Sequence, residues 1–271
     1  MLIDWPVGKE PKRAEIGWDG SQHELRCQYK VEENEEPKGQ KKAGVDLGER
    51  HLATVYVENG ENISVRGGRL RSLRRQHNRM LSTLRSKIDR KEKGSRRWKR
   101  LARAKDRQLQ KIRNQIEDLL HKVTTRLVNV LHERRTGTVV VGDLTGIRER
   151  IKYGDRMNQR LHQWAHSKFE HMLTYKAHLC GMTVERASEA YTSQTCPSCE
   201  HRHKPNGRDF NCPQCSFEAH RDVVGARNIL NERYPGATQV AGEMASPTGV
   251  RYRPHMRTEP TGSEPQRCNP A

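Results

Sequence analysis

Ala43-Gly-Val-Asp-Leu-Gly48, then Leu52-Ala-Thr-Val-Tyr-Val57, the turn residues Glu58-Asn-Gly-Glu61 and Ile63-Ser-Val65, is the stretch that decides the fold. Apolar and polar residues alternate along it and an Asn-Gly turn breaks it, the pattern of a β-hairpin or meander. One residue resists the pattern. Asp46 lies mid-strand between Val45 and Leu47, and aspartate is a poor strand former, so its carboxylate needs a reason to be there. Two reasons stay open: hydrogen bonds to backbone, or coordination of a cation whose charge offsets the cost of burial. Gly44 and Gly48 flank it and leave room for a phosphate backbone to come close.

Upstream, residues 1–42 hold a Pro- and Gly-rich start, one strand-like piece over His23–Val31 and a charged linker. One such strand cannot bury itself, so it reads as an edge strand or the end of something larger. Downstream, a helical hairpin is expected over about 66–132. Its first half is strongly basic, with Arg71, Arg74, Arg75, Arg79, Arg96, Arg97 and Arg100 among many cations opposed only by Asp89 and Glu92. Charge this one-sided repels itself, so a phosphate backbone is expected on it, against the plainer reading of a solvated face. The second half carries Leu109, Ile112, Ile116, Leu119, Val123, Leu127 and Val130, an apolar stripe at helical spacing that docks on a core.

Thr138-Val-Val-Val141 reads as a strand buried on both faces. A charged loop is expected over 142–160, a helix over about 159–181 with Trp164 toward the core, a strand over 183–191, a last helix over Val223–Arg233, and a disordered tail over 235–271. Elements in that order describe an α/β domain on one mixed sheet.

Two CxxC knuckles, Cys196-Pro-Ser-Cys199 and Cys212-Pro-Gln-Cys215, can set four thiolates around one structural Zn2+, making residues 192–219 a zinc ribbon. His201 and His203 between them read as loop residues, and His220 is not counted as a zinc ligand. Cys27, Cys180 and Cys268 show no pairing pattern, which fits a reducing compartment. The chain has 51 Lys plus Arg against 33 Asp plus Glu, a formal charge of +18, which favours a nucleic-acid partner and opposes tight self-association. A monomer or weak dimer is expected. No apolar run approaches the roughly 20 residues of a membrane span, and the start lacks the features of a secretory signal. A cytoplasmic, nucleoid-associated protein with no membrane partner follows.

Four ordered blocks carry a family resemblance: Gly44-Val-Asp-Leu-Gly48, Val139-Val-Val-Gly-Asp-Leu144, Ala190-Tyr-Thr-Ser-Gln-Thr-Cys196 with its knuckles, and His220-Arg-Asp-Val-Val-Gly-Ala-Arg-Asn-Ile-Leu230. Together they resemble the TnpB (OrfB) family encoded by insertion sequences, related to the type V CRISPR effectors. The resemblance implies a RuvC/RNase H-like mixed α/β sheet interrupted by a long helical hairpin and by the zinc ribbon. It also implies two catalytic Mg2+, for which Mn2+ can substitute, held by three carboxylates, and cleavage of DNA selected by a guide RNA. Residues 43–191 would be the first part of the nuclease domain, 220–234 its last helix, and 1–42 the remnant of an N-terminal β-barrel, a front shorter than is usual in the family.

Two positions depart from the family pattern. Its usual Glu before the strand-end Asp is Gly142 here, and the usual first Asp of an Asp-Arg-Asp is His220. Glu189, at the end of the next strand, is expected to reach the space at Gly142 across one strand spacing of about 4.8 Å. Asp222 is expected to replace the missing Asp at the helix start, while Asp143 points to the opposite face. Asp46, Glu189 and Asp222 form the working triad. Three functions follow: an RNA-guided, metal-dependent DNA endonuclease using that triad; a guide-RNA and DNA binder that no longer cuts; or a basic zinc-ribbon DNA-binding protein without a guide.

Overall fold

The strand-like piece in the first 42 residues does not stand alone. In the computed structural model, β1 (Arg13–Trp18) and β2 (His23–Gln28) pair antiparallel, with Ile16 opposite Leu25. The described residues are 10–18, 23–30, 39–144, 166–238 and, as backbone, 248–250. Of the loop expected over 142–160, residues 142–143 belong to a strand and 145–160 lie outside the described residues, as do Trp164 and most of the C-terminal tail. This hairpin and residues Arg69–Leu119 form one compact unit; Glu33–Gly68 and Leu120–Ala271 form a second.

The helical hairpin is two helices, α1 (Gly68–Asp89) and α2 (Arg96–Glu133). Gly94 between them takes a left-handed φ of 88°, and the Ser95 hydroxyl accepts from the Trp98 N–H at 3.2 Å, an N-terminal cap that starts α2. Leu109, Ile112, Leu119, Val123 and Leu127 of the apolar stripe are buried. In the second unit, Lys176 of α3 (His166–Leu179) donates to the His121 carbonyl and to the hydroxyls of Thr124 and Thr125 on α2, tying the two helices together. Burial holds the Lys176 amine down to about 8.

The meander is present as β3 (Lys41–Asp46), β4 (His51–Val57) and β5 (Asn62–Arg66), antiparallel throughout. β6 (Thr136–Asp143) lies parallel to β3, and β7 (Thr183–Ser188) parallel to β6. The small ribbon strands β8 (Asp209–Asn211) and β9 (Glu218–His220) pair with each other, and α4 (Arg221–Arg233) follows directly. β10 (Thr248–Val250), inside the segment expected to be disordered, adds parallel to β5, giving the sheet order β10-β5-β4-β3-β6-β7. An edge strand offers unpaired backbone groups, and a short segment with no periodicity of its own can still use them. The result is a mixed α/β sheet. Among the described residues no helix is long and apolar enough to cross a membrane.

α4 packs on one face of this sheet: Tyr56, Val140 and Ala187 meet Val223, Ala226, Ile229 and Leu230. Side-chain alternation puts Gly44 and Asp46 of β3, and Val140 and Gly142 of β6, on that same face. The reason for Gly44 is therefore the helix and not a phosphate backbone, since a Cβ there would lie 2.1 Å from the Ala226 carbonyl oxygen. Gly44→Ala is expected to destabilise the protein by about 1–3 kcal/mol, the usual cost of overpacking, read as a lowered urea midpoint. An unchanged midpoint would mean that α4 does not sit this close.

Candidate active site and metal centres

Asp46 ends β3 on the face that α4 covers. Asp222 begins α4, and one helical turn on, a Cβ built at Gly225 would lie 3.0 Å from the Asp46 Oδ2, so the helix brings its own start against the Asp46 carboxylate. Glu189 is the first residue after β7, which stops at Ser188. It is held in a turn: its carbonyl accepts from the Thr192 N–H at 3.3 Å and the Thr192 hydroxyl at 3.0 Å, and Tyr191 takes a left-handed φ of 62°. From there its side chain returns over β6. A Cβ built at Gly142 would lie 2.1 Å from the Glu189 Oε1, 2.3 Å from its Cγ and 2.6 Å from its Cδ. The glutamate occupies the volume that a side chain at 142 would fill. Asp143 faces the other way and is exposed.

Asp222 acts on Asp46, and Asp46 acts on Glu189. Burial first, then Asp222, pushes Asp46 up to about 7 against the pull of Arg208 and Arg221. Burial, then Asp46, Asp143 and Glu170, pushes Glu189 up to about 8. The Glu189 Oε1 is buried and has no hydrogen-bond partner among the described residues. Among the described residues Asp46, Glu189 and Asp222 do not converge to within 4.8 Å of one another as one ligand set, but Asp46 and Glu189 are oxygen donors of the kind a hard divalent cation takes, so their chemistry fits the Mg2+ expected here.

The sign of the pH effect follows. A carboxyl whose folded value lies above its unfolded one, near 4, favours the folded state while protonated. Without a cation, stability contributed by Asp46 and Glu189 should fall as pH rises from about 4 through about 7 and 8. A divalent ion stabilises the ionised form, so the rise in Tm on adding Mg2+ is expected to be larger at pH 8 than at about pH 5. Thermal unfolding with and without Mg2+ checks this, and Asp46→Asn with Glu189→Gln should remove the difference.

Asp222 has partners that the sequence did not announce. Arg208, in the ribbon, donates to its Oδ1 at 2.6 Å and Oδ2 at 2.9 Å, and the His51 Nδ1 lies 2.8 Å from Oδ2. His220 caps α4, its Nδ1 accepting from the Asp222 N–H at 3.3 Å, and its ring meets that of His51 edge-on at 5.3 Å. Burial holds the His220 value below the usual range. His51 stands on β4, 171 positions from Asp222 along the chain, and no local signal marks it.

The four cysteines converge. The Cys196 and Cys215 sulfurs lie 3.6 Å apart, as do those of Cys199 and Cys212. Four thiolates about 2.3 Å from one tetrahedral centre would stand about 3.8 Å from each other, so this group can hold a metal ion such as zinc. His203 packs edge-on against Phe210, and His201 stacks on His203, which leaves both outside the cluster. Asn228 of α4 donates to the carbonyls of Thr192 and Thr195 and anchors the ribbon's entry. Of the basic helices, Arg75, Arg79, Arg96, Arg97 and Arg100 are exposed; Arg71 and Arg74 are half-buried, and the Arg71 Nε is buried with no partner among the described residues.

Comparison with known proteins adds the family. A family model described as "Probable transposase" (OrfB_IS605) matches residues 26–148, and one described as "Cas12f1-like, TNB domain" matches residues 166–229. A TnpB-like protein of Methanocaldococcus jannaschii is 28% identical over 206 residues, 75% of this chain and 71% of that protein. The CRISPR-associated endodeoxyribonuclease Cas12f1 of Sulfoacidibacillus thermotolerans is 29% identical over 194 residues, 69% of this chain and 44% of that one. The structure of a Cas12f1-sgRNA-target DNA complex superposes with a TM-score of 0.55 at 17% identity, over 81% of this chain and 56% of its counterpart, which shows a shared fold. The chain thus spans about half the length of these two Cas12f1 proteins. With both family models matched in order along it, the chain belongs to the TnpB (OrfB) family, related to the type V CRISPR effectors.

Proposed function

We propose that this chain is an RNA-guided DNA endonuclease with a RuvC/RNase H-like site rearranged around Glu189. The observation that carries the reading is the Glu189 carboxylate lying in the volume left by Gly142, within the electrostatic reach of Asp46, which in turn feels Asp222. The name of its Cas12f1 relative, an endodeoxyribonuclease, and a fold neighbour solved with sgRNA and target DNA support the choice of partners.

Asp46, Glu189 and Asp222 would hold two Mg2+, with Mn2+ able to replace them. When bound, such a pair lowers the pKa of an attacking water and offsets charge on the attacking and leaving oxygens. The protein's own residues supply the rest. The orphaned Glu189 oxygen is aimed before any ligand arrives, because the turn at residues 189–192 fixes its backbone. Arg208 and Arg221 offset the negative charge at Asp46 and so would reduce its repulsion of a phosphate. The exposed arginines of α1 and α2 bind the guide or target backbone through charge alone, so that base pairing reads the sequence. Residues 192–219 act as the zinc ribbon, inserted between β7 and α4.

The test is cleavage of guide-matched DNA in Mg2+ by protein co-expressed with RNA from its own locus. Asp46→Ala is expected to lower the rate at least about 100- to 1,000-fold while guide binding persists. Tight guide-dependent binding with no cleavage by the unaltered chain would replace this reading with that of a binder that does not cut.

A further inference from the structure

His51, His220 and Asp222 each offer one ligand atom, and these atoms lie within 4.8 Å of one another. Such a set is not what Mg2+ selects. Mg2+ asks for oxygen ligands and keeps much of its water, whereas imidazole suits borderline transition ions. We propose that His51, His220 and Asp222 form a mixed imidazole–carboxylate site for a divalent transition ion of the Mn2+, Co2+ or Zn2+ class, distinct in its chemistry from the carboxylates of Asp46 and Glu189. The inference rests on the reading above only in that Asp222 belongs to both.

Three features of the geometry support it. The two imidazoles come from different elements, His51 from β4 and His220 from the junction of β9 and α4, so the site exists only in the folded chain. Both are only partly exposed and converge on a buried carboxylate, with the His51 Nδ1 at 2.8 Å from Oδ2. The Arg208 Nη1 reaches Oδ1 at 2.6 Å and Oδ2 at 2.9 Å, so an ion taking Oδ2 displaces the longer contact and leaves the shorter one as an outer-shell hydrogen bond of the kind that orients a ligating carboxylate. The competing account is a plain hydrogen bond between His51 and Asp222 with His220 serving only as the cap of α4.

The experiment is Mn2+ binding to the full chain with its cysteine cluster zinc-loaded, read by pulsed electron paramagnetic resonance for modulation from imidazole nitrogen. Wild type is expected to bind Mn2+ with nitrogen modulation, and Asp46→Asn with Glu189→Gln is expected to keep that signal although it cannot cut. His51→Ala, His51→Asn and His220→Asn are expected to weaken the nitrogen-coordinated Mn2+ by roughly 10–100-fold, with circular dichroism unchanged. Mn2+ bound without nitrogen modulation in wild type would overturn the inference and leave the carboxylate site standing. Absence of Mn2+ binding in the Asp46→Asn, Glu189→Gln variant would overturn it as well. Loss of cleavage by wild type, with the nitrogen signal intact, would overturn the nuclease reading alone.

Discussion

Glu189→Ala is expected to stop guide-directed cleavage, and moving the carboxylate back to strand β6 is expected to restore part of it. The Glu189 Oε1, Cγ and Cδ fall 2.1, 2.3 and 2.6 Å from where a Cβ at Gly142 would be, distances at which one of the two side chains must give way. Three variants follow. Gly142→Ala displaces the end of a flexible side chain and no backbone, so it should fold normally yet cut slowly. Glu189→Ala leaves Asp46 and Asp222 without the third carboxylate and should lower the rate by at least about 100- to 1,000-fold. Gly142→Glu combined with Glu189→Ala puts a carboxylate into the same volume from the adjacent strand and should cut faster than Glu189→Ala alone. Single-turnover cleavage of guide-matched DNA measures all three. Wild-type rates in Gly142→Ala and Glu189→Ala would remove Glu189 from the site.

Stripping the metal from the four thiolates is expected to unfold the ribbon while the sheet persists. Between β7 and α4 the described apolar core is small: Phe210, Cys196 and Cys212 packed with Val224 of α4, and Phe217 partly buried beside them. A core of that size cannot offset the ordering of the chain from 192 to 219, so metal binding must supply the folding energy, on the order of 10 kcal/mol. The sheet has its own contact with α4 through Tyr56, Val140, Ile229 and Leu230. Hydrogen exchange after chelation, or in Cys196→Ser, should show protection lost over 196–215 and kept in β3, β4 and β6. Retained protection across 196–215 with the metal gone would sink this account. Because Arg208 comes from the ribbon, the same treatment should release it from Asp222 and impair cleavage even with Mg2+ present.

Parts of the candidate site were legible because they follow from neighbours in the chain. The two CxxC knuckles announce themselves, and an aspartate in an otherwise apolar strand marks Asp46. Glu189 could be reached from the sequence only by reasoning from an absence, the glycine at 142, together with the order of two parallel strands. His51 and Arg208 could not be reached: one sits on a hairpin strand and the other in a ribbon loop, and they meet Asp222 only because β4, the ribbon and the start of α4 converge. The flanking glycines were legible as unusual but not in their cause, since nothing local shows that the Ala226 backbone presses on Gly44.

Periodicity, turn residues, charge density and cysteine spacing are properties of short stretches, so the sequence by itself determined the meander, the basic and apolar halves of the helical hairpin, the buried strand at 138–141, the thiolate cluster and the family. Pairing between distant segments is decided by which surfaces can be buried together and which backbone groups are left open. The tertiary structure alone therefore decided that β1 completes a hairpin with β2, that residues 248–250 extend the sheet, that Gly44 yields to a helix, and that His51, His220 and Arg208 gather on Asp222.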